Sequence, residues 1–203
     1  MVTAIPRSII ILCIIVVAFL LDFVLMNRYK RQRQESRAKR AWSWDYTLLL
    51  VLACLLLVLQ PVLLPWIGYY TPRAWGAVIQ ILGLALVVCA LLLHGWARLH
   101  LRQFYAERVE IQAEHRLVDT GPYRLVRHPI IVSFFGIAIG LFLFNPAVTT
   151  LLMLVYTFWD FLHAARQEDE LLSKSLPGYA DYMKRTPRFL PRLRGKRPAQ
   201  MVK

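Results

Sequence analysis

Residues Gly121–Pro146 read GPYRLVRHPIIVSFFGIAIGLFLFNP, and this stretch decides the fold. Its opening carries Arg124, Arg127 and His128; from Pro129 to Phe144 no charged residue follows. Pro129 suits the first position of a helix, where a missing N–H costs nothing. Asn145-Pro146 is a turn signal. The pattern predicts an apolar helix over 129–144 with a basic collar at its start and a tight turn at its end. A further apolar run, Ala147–Ala165, follows directly, so the two helices should form a hairpin with both polar ends on one side.

Working outward, three more apolar runs precede this hairpin: Ser8–Met26, Tyr46–Ile67 and Trp75 to about Leu93. A helix needs about 20 apolar residues to cross a bilayer. The first run is too long for a signal-peptide core, and no small-residue cleavage site follows it. The basic stretch NRYKRQRQESRAKR follows instead, which reads as stop-transfer. Pro61 should kink the second run, because it removes a backbone hydrogen bond. The expected fold is therefore all-α: a polytopic membrane bundle of five spans. Residues 1–94 hold the first three spans and a basic loop at 27–45. Residues 95–203 hold a connector, the hairpin and a polar C-terminal segment.

Composition agrees. Of 203 residues, 58% are hydrophobic, yet the net charge is +13. A soluble domain would sit nearer 45–50% apolar. The cations lie between apolar runs rather than on one polar face, which argues against nucleic-acid binding. Five spans place 23 of the 25 Lys and Arg on one side, leaving only Arg7 and Arg73 opposite. By the positive-inside rule that basic side is cytoplasmic, and a bacterial inner membrane is the expected location. Cys13, Cys54 and Cys89 fall inside apolar runs without CxxC spacing, so no disulfide and no metal site is expected. No Ser/His/Asp arrangement is evident either. Trp42, Trp44, Trp66, Tyr69, Tyr70 and Trp75 flank spans as interfacial belts do.

The polar stretches Glu114–Pro129 and Arg166–Leu193 flank the hairpin. Closing the hairpin should bring His128 near Glu168. Read from the residues alone, Arg124 and Arg127 either anchor lipid phosphates or bind an anion at the helix start. Glu168-Asp169-Glu170 either pairs with Arg124, Arg127 or Arg166, or bonds the hydroxyls or ammonium of a polar ligand. Asp160, His163, Gln167 and Glu170 share one helix face. Asp160 and His163 lie within the last turns of the span, where ionisable groups should face a cavity or the bundle interior. Asp22 reads as a lone interfacial acid, and Trp159 as core packing.

The pattern His115-x-Leu117-Val118-x-x-Gly121-x-Tyr123-x-x-x-Arg127-His128-Pro129 resembles the hallmark of the isoprenylcysteine carboxyl methyltransferase family and its phospholipid methyltransferase relatives. The resemblance continues in Asn145-Pro146, in Glu168-Asp169-x-x-Leu172, and in Tyr179-x-x-Tyr182 and Thr186-Pro187-Arg188-x-x-Pro191. It implies a membrane-embedded methyltransferase that uses S-adenosyl-L-methionine on a lipophilic acceptor. The implied cofactor pocket is lined by His115, Leu117, Val118, Gly121, Tyr123, His128, Pro129, Glu168, Asp169, Tyr179 and Tyr182. Arg127, His128 and Glu168 are the implied catalytic residues. Ile131 and Ser133 stand where the family often has tyrosine and glycine, and Asp169 where it has a second glutamate.

Methyl transfer from a sulfonium is an in-line displacement whose donor is already activated, so the protein mainly orients it and excludes water. A carboxylate acceptor needs no general base. An amine or thiol acceptor must lose a proton, with His128, His163 or Glu168 in reach of that role. Two other readings stand beside this one. One is a non-catalytic membrane scaffold of the same fold. The other is a relative of nicotinamide-dependent membrane reductases, which are longer and have about twice as many spans.

Overall fold

The computed structural model of the chain describes residues 3–29, 44–68, 73–101 and 117–191. Among the described residues six helices run in order: α1 (Ala4–Tyr29), α2 (Trp44–Leu63), α3 (Arg73–Leu101), α4 (Pro129–Phe144), α5 (Val148–Ser175) and the short α6 (Tyr179–Arg185). Short 3₁₀ turns lie at Pro65–Ile67 and Gly121–Arg124. Among the described residues there is no strand, only an isolated bridge between Gly68 and Ala147.

Three helices are long and apolar enough to cross a membrane, at Ala4–Arg28, Trp75–Leu101 and Val148–Ser175. The apolar parts of the other two are shorter, Leu50–Leu63 and Pro129–Phe144. The 16 residues of α4 span about 24 Å at the usual rise per residue, against about 30 Å of hydrocarbon. With their large exposed apolar faces, for instance Leu12, Phe19, Leu52, Ile81 and Leu92, these helices make the chain an integral membrane protein.

Several boundaries differ from the sequence reading. Pro61 lies inside α2, which ends two residues later at Leu63. Helix α3 runs two turns beyond Leu93, to Leu101. Arg98, expected in a polar connector, is helical and only 4% exposed. Helix α5, by contrast, runs past Ala165 to Ser175 as expected, so the three adjacent acids are helical.

The bundle centre joins Ile11, Leu57, Val87, Leu141 and Phe144, one or more from each of α1 to α4. The closest approach is between α3 and α4. Gly136 and Gly140 are four residues apart and so share one face of α4, the small-xxx-small spacing that lets membrane helices touch. A Cβ on Gly83 of α3 would stand 2.7 Å from the Gly140 carbonyl oxygen. A Cβ on Gly140 would stand 2.6 Å from the Val87 side chain, and one on Gly136 2.8 Å from the Ala90 methyl.

At the turn end, buried amides replace apolar packing. Asn145 Nδ2 donates to Gln60 Oε1 (2.7 Å), and Arg7 Nη1 donates to Asn145 Oδ1 (3.1 Å). Gln80 Nε2 donates to the Phe144 carbonyl (3.3 Å). The Thr150 hydroxyl donates to the Asn145 carbonyl (2.7 Å) and accepts the Ala147 N–H (3.1 Å). Residues of α1, α2, α3 and α5 thus grip the turn, as burying an amide requires.

The glycine seam yields a direct test. Gly140→Val should cost about 1–3 kcal/mol through overpacking, read as an earlier thermal unfolding of the detergent-solubilised protein. Leu59→Ala on the exposed face of α2 should unfold at nearly the wild-type temperature. Equal behaviour of the two variants would contradict the seam.

Candidate functional site

The hairpin brings the start of α4 to the last turns of α5. His128 is the residue that caps α4, with Pro129 first inside the helix. Its ring is held on both sides: Nδ1 lies 3.2 Å from Glu168 Oε2 and Nε2 2.9 Å from Asp169 Oδ1. Both acids are neighbours on α5, and they grip one ring because it stands between them.

Asp169 is the centre of the arrangement. Its Oδ1 also accepts the Tyr179 hydroxyl (2.7 Å), and its Oδ2 accepts Arg127 Nη2 (2.9 Å) and Arg188 Nε (2.8 Å). Asp169 is buried, so its charge requires such partners. Arg127 also closes the C-terminal segment down, since its Nη1 donates to the carbonyls of Met183 (2.9 Å) and Thr186 (2.8 Å). Backbone bonds reinforce the clasp: Arg127 N–H to the Pro187 carbonyl (2.9 Å) and His128 N–H to the Arg188 carbonyl (3.2 Å). Tyr182 donates to the Tyr123 carbonyl (2.6 Å).

The polar groups are not equally available. The side chain of Asp169 is 3% exposed, that of Arg127 8%, and that of Glu168 42%. Glu168 therefore presents a carboxylate outward while His128 holds it from behind. Arg127 Nε is buried and has no hydrogen-bond partner. Burial works against the charged form of His128, but the hydrogen bonds to Asp169 and Glu168 prevail and hold it above its ordinary value. Burial and the bond to Asp169 push the Tyr179 phenol up, so it stays a donor.

The remaining residues singled out from sequence distribute as follows. Tyr123, Pro129, Tyr179 and Tyr182 are buried around the clasp. Leu117 packs on the cluster of Leu172, Leu176, Tyr179 and Tyr182, and Val118 is half-buried beside it in sequence. Gly121 sits at φ +58°, and a Cβ there would overlap the His100 ring, so only glycine fits this turn. His115 lies outside the described residues. Ile131 is buried with Phe135 and Ala165, and Phe189 packs against that cluster. The Phe189 ring stands 6.0 Å from that of His128, so an aromatic from the C-terminal segment occupies this neighbourhood.

Other expectations are corrected. Trp159 is 66% exposed and stacks on His163 rather than packing in the core. His163 is exposed rather than turned to the bundle interior, Asp160 is half-buried, and Gln167 and Glu170 on the same face are exposed. His163 meets Gln167 at 3.1 Å, and Glu170 meets Lys174 at 2.6 Å. This face of α5 satisfies itself at helical spacing.

Asp22 is not alone, and a Ser/His/Asp arrangement does exist. Asp22 Oδ1 lies 3.0 Å from His94 Nε2 and 3.0 Å from Arg98 Nε. His94 Nδ1 lies 3.0 Å from Ser133 Oγ. Sequence reasoning missed it because the three sit on three helices. The polar positions His94 and Arg98, four apart on an otherwise apolar helix, were the available signal. Arg188 was quoted within a motif but had no role until the structure placed it on Asp169.

The fold and site define a helical integral membrane protein with a charged clasp joining a hairpin to its C-terminal segment. Residues 81–174 match the model of the isoprenylcysteine carboxyl methyltransferase (ICMT) family, so this region of the chain is similar to that family. It is also similar to the nickel-cobalt-cadmium resistance protein NccN of Alcaligenes xylosoxydans xylosoxydans, with 42% identity over 78 residues, covering 38% of this chain and 37% of that protein. The cobalt-zinc-cadmium resistance protein CzcN of Cupriavidus metallidurans is 40% identical over 79 residues, covering 38% of this chain and 36% of that protein. The chain thus matches little more than a third of the length of these relatives.

Two measurements check the clasp. Asp169→Asn leaves Arg127 without its buried counter-charge and should cost about 3–5 kcal/mol in stability, seen as a lowered melting temperature. The raised value of His128 makes its charged form a stabilising one. That contribution is complete below the ordinary value of 6.5 and is lost as pH rises through the higher folded-state value. Thermal stability should therefore decline with rising pH above the usual histidine range, and His128→Gln should flatten that decline. A stability profile that instead rises there would contradict the assignment.

Proposed function

We propose that the chain is an integral membrane methyltransferase that uses S-adenosyl-L-methionine to methylate a lipophilic acceptor. The family of residues 81–174 supports the methyltransferase kind. The observation that carries the reading further is the pairing of an outward carboxylate, Glu168, with a buried, unpartnered N–H, Arg127 Nε. A zwitterionic, cationic ligand fits that donor set: its ammonium suits Glu168 and its carboxylate suits Arg127.

When bound, the cofactor supplies a methyl group already activated on a sulfonium. The chain's own residues bind and orient. Glu168 offers negative charge to the ligand's cationic end, and His128 fixes that carboxylate. Asp169 holds His128, Arg127, Tyr179 and Arg188 together from beneath. His115, Leu117, Val118, Gly121, Tyr123, Pro129, Tyr179 and Tyr182 complete the walls in this proposal. Water exclusion falls to the C-terminal segment, which Arg127 clasps over the start of α4. An amine or thiol acceptor would give its proton to Glu168, since His128 already carries one on each ring nitrogen when charged.

In the proposed topology five helices cross a bacterial inner membrane, with 27–45, 95–128 and the C-terminus cytoplasmic. The site then lies at the membrane surface, where an isoprenylcysteine-like or other lipid-borne acceptor reaches it laterally.

Calorimetry of the solubilised protein with S-adenosylhomocysteine tests the reading. Binding is expected, and Glu168→Gln and His128→Ala should each weaken it about tenfold, the scale of a lost charged hydrogen bond. Absence of binding at millimolar ligand would remove the methyltransferase reading. Normal binding by both variants would overturn the site. Labelled-methyl transfer to host membrane lipids then identifies the acceptor.

A further inference from the structure

The chain Asp22–His94–Ser133, buried at His94 and Ser133 and half-buried at Asp22, involves none of the clasp residues, and its three members come from α1, α3 and α4. His94, Arg98 and Ser133 are 3%, 4% and 0% exposed. Ionisable groups on membrane helices are costly and call for a role. The arrangement has the residue types of a hydrolase triad, but the Ser133 hydroxyl is sealed from solvent and donates to the Ile130 carbonyl. It has no path to a substrate, so nucleophilic chemistry is not its use.

Its position indicates another use. Ser133 and Ile130 belong to the start of α4, the same turn that carries His128 and Pro129. His94 follows Ala90 by one helical turn on α3, and Ser133 precedes Gly136 by one turn on α4. Ala90 and Gly136 face each other across the glycine seam, so the His94–Ser133 bond prolongs that seam to the site end of the bundle. The His94 ring also packs edge-on against Phe134 (5.1 Å). Asp22 steadies His94 from the far side, and Arg98 locks Asp22 through both its carboxylate and its backbone carbonyl (3.5 Å). Asp22 lies outside residues 81–174, whereas His94 and Ser133 lie within them.

We propose that Asp22, acting through His94 and Ser133, positions the first turn of α4 and with it the His128 ring. Asp22 and His94 are thus positioning residues supplied to the site across helices, and α1 is a working part of it rather than an anchor alone. As far as ligand affinity is concerned, this rests on the function proposed above.

The test uses the full chain in detergent with labelled histidines, the His128 signals being identified by their loss in His128→Gln. Asp22→Ala and Ser133→Ala should each shift the His128 ring signals and weaken S-adenosylhomocysteine binding about three- to tenfold. The double variant should be no worse than the poorer single one, because both act through His94. Asp22→Asn, which keeps an acceptor for His94, should recover most of the loss. Leu57→Ala, in the central core, should lower the melting temperature and leave the His128 signals in place. The proposal is overturned if both alanine variants leave the His128 signals unmoved, if Leu57→Ala moves them equally, or if the two losses simply add. Should Asp22→Ala not fold, Ser133→Ala decides by the same signals. If the wild type binds no ligand, the methyltransferase reading fails while the His128 signals still decide the brace.

Discussion

One buried carboxylate, Asp169, sets the terms for everything at the site end of the bundle. Four donors from three parts of the chain converge on its two oxygens: Arg127 and His128 at the start of α4, Tyr179 on α6 and Arg188 beyond it. Such a charge is tolerable inside protein only when its lone pairs are filled. Filling them forces the hairpin ends, the connector and the C-terminal segment into one place. Asp169 itself is thereby used up. The neighbouring Glu168, one residue away, keeps 42% of its side chain exposed. Two adjacent carboxylates thus divide into a buried and an outward-facing one through their directions on one helix.

That division explains the economy of the C-terminal segment. Residues 176–190 bury Leu176, Tyr179 and Tyr182 and pack Phe189 against the Ile131–Phe135–Ala165 cluster. They are held as well by bonds that cross from Arg127, Tyr123 and Asp169. Because those bonds share Asp169 and Arg127 as common members, the segment docks or undocks as a unit. Charge on His128 contributes to the same balance, which couples docking to protonation.

Much of this was legible in the amino-acid order. Pro129, the uncharged run after it and Asn145-Pro146 marked α4 to the residue, since a fixed φ and a turn signal leave little choice. The meeting of His128 with Glu168 followed from closing the hairpin. Helix ends were less legible. The last two turns of α3 carry His94 and Arg98, whose partners are distant, so composition suggested a connector where backbone bonding continues. The Asp22–His94 pair joins residues 72 positions apart, and no local period announces it. Arg188 was hidden for the same reason, its partner being fixed by the fold. The exposed face of α5 was misjudged because Gln167 and Lys174 satisfy His163 and Glu170 from within the helix.

The glycine seam has a consequence for traffic. Where Gly83 meets Gly140 the two backbones leave no room even for a methyl group, so no acyl or prenyl chain can part α3 from α4. In the five-span arrangement, a molecule dissolved in the leaflet is barred from that side. The outer face of α5 presents Leu152, Val155 and Trp159 to the lipid. The tightest contact of α3 with α4 thus works as a wall along one side of the hairpin.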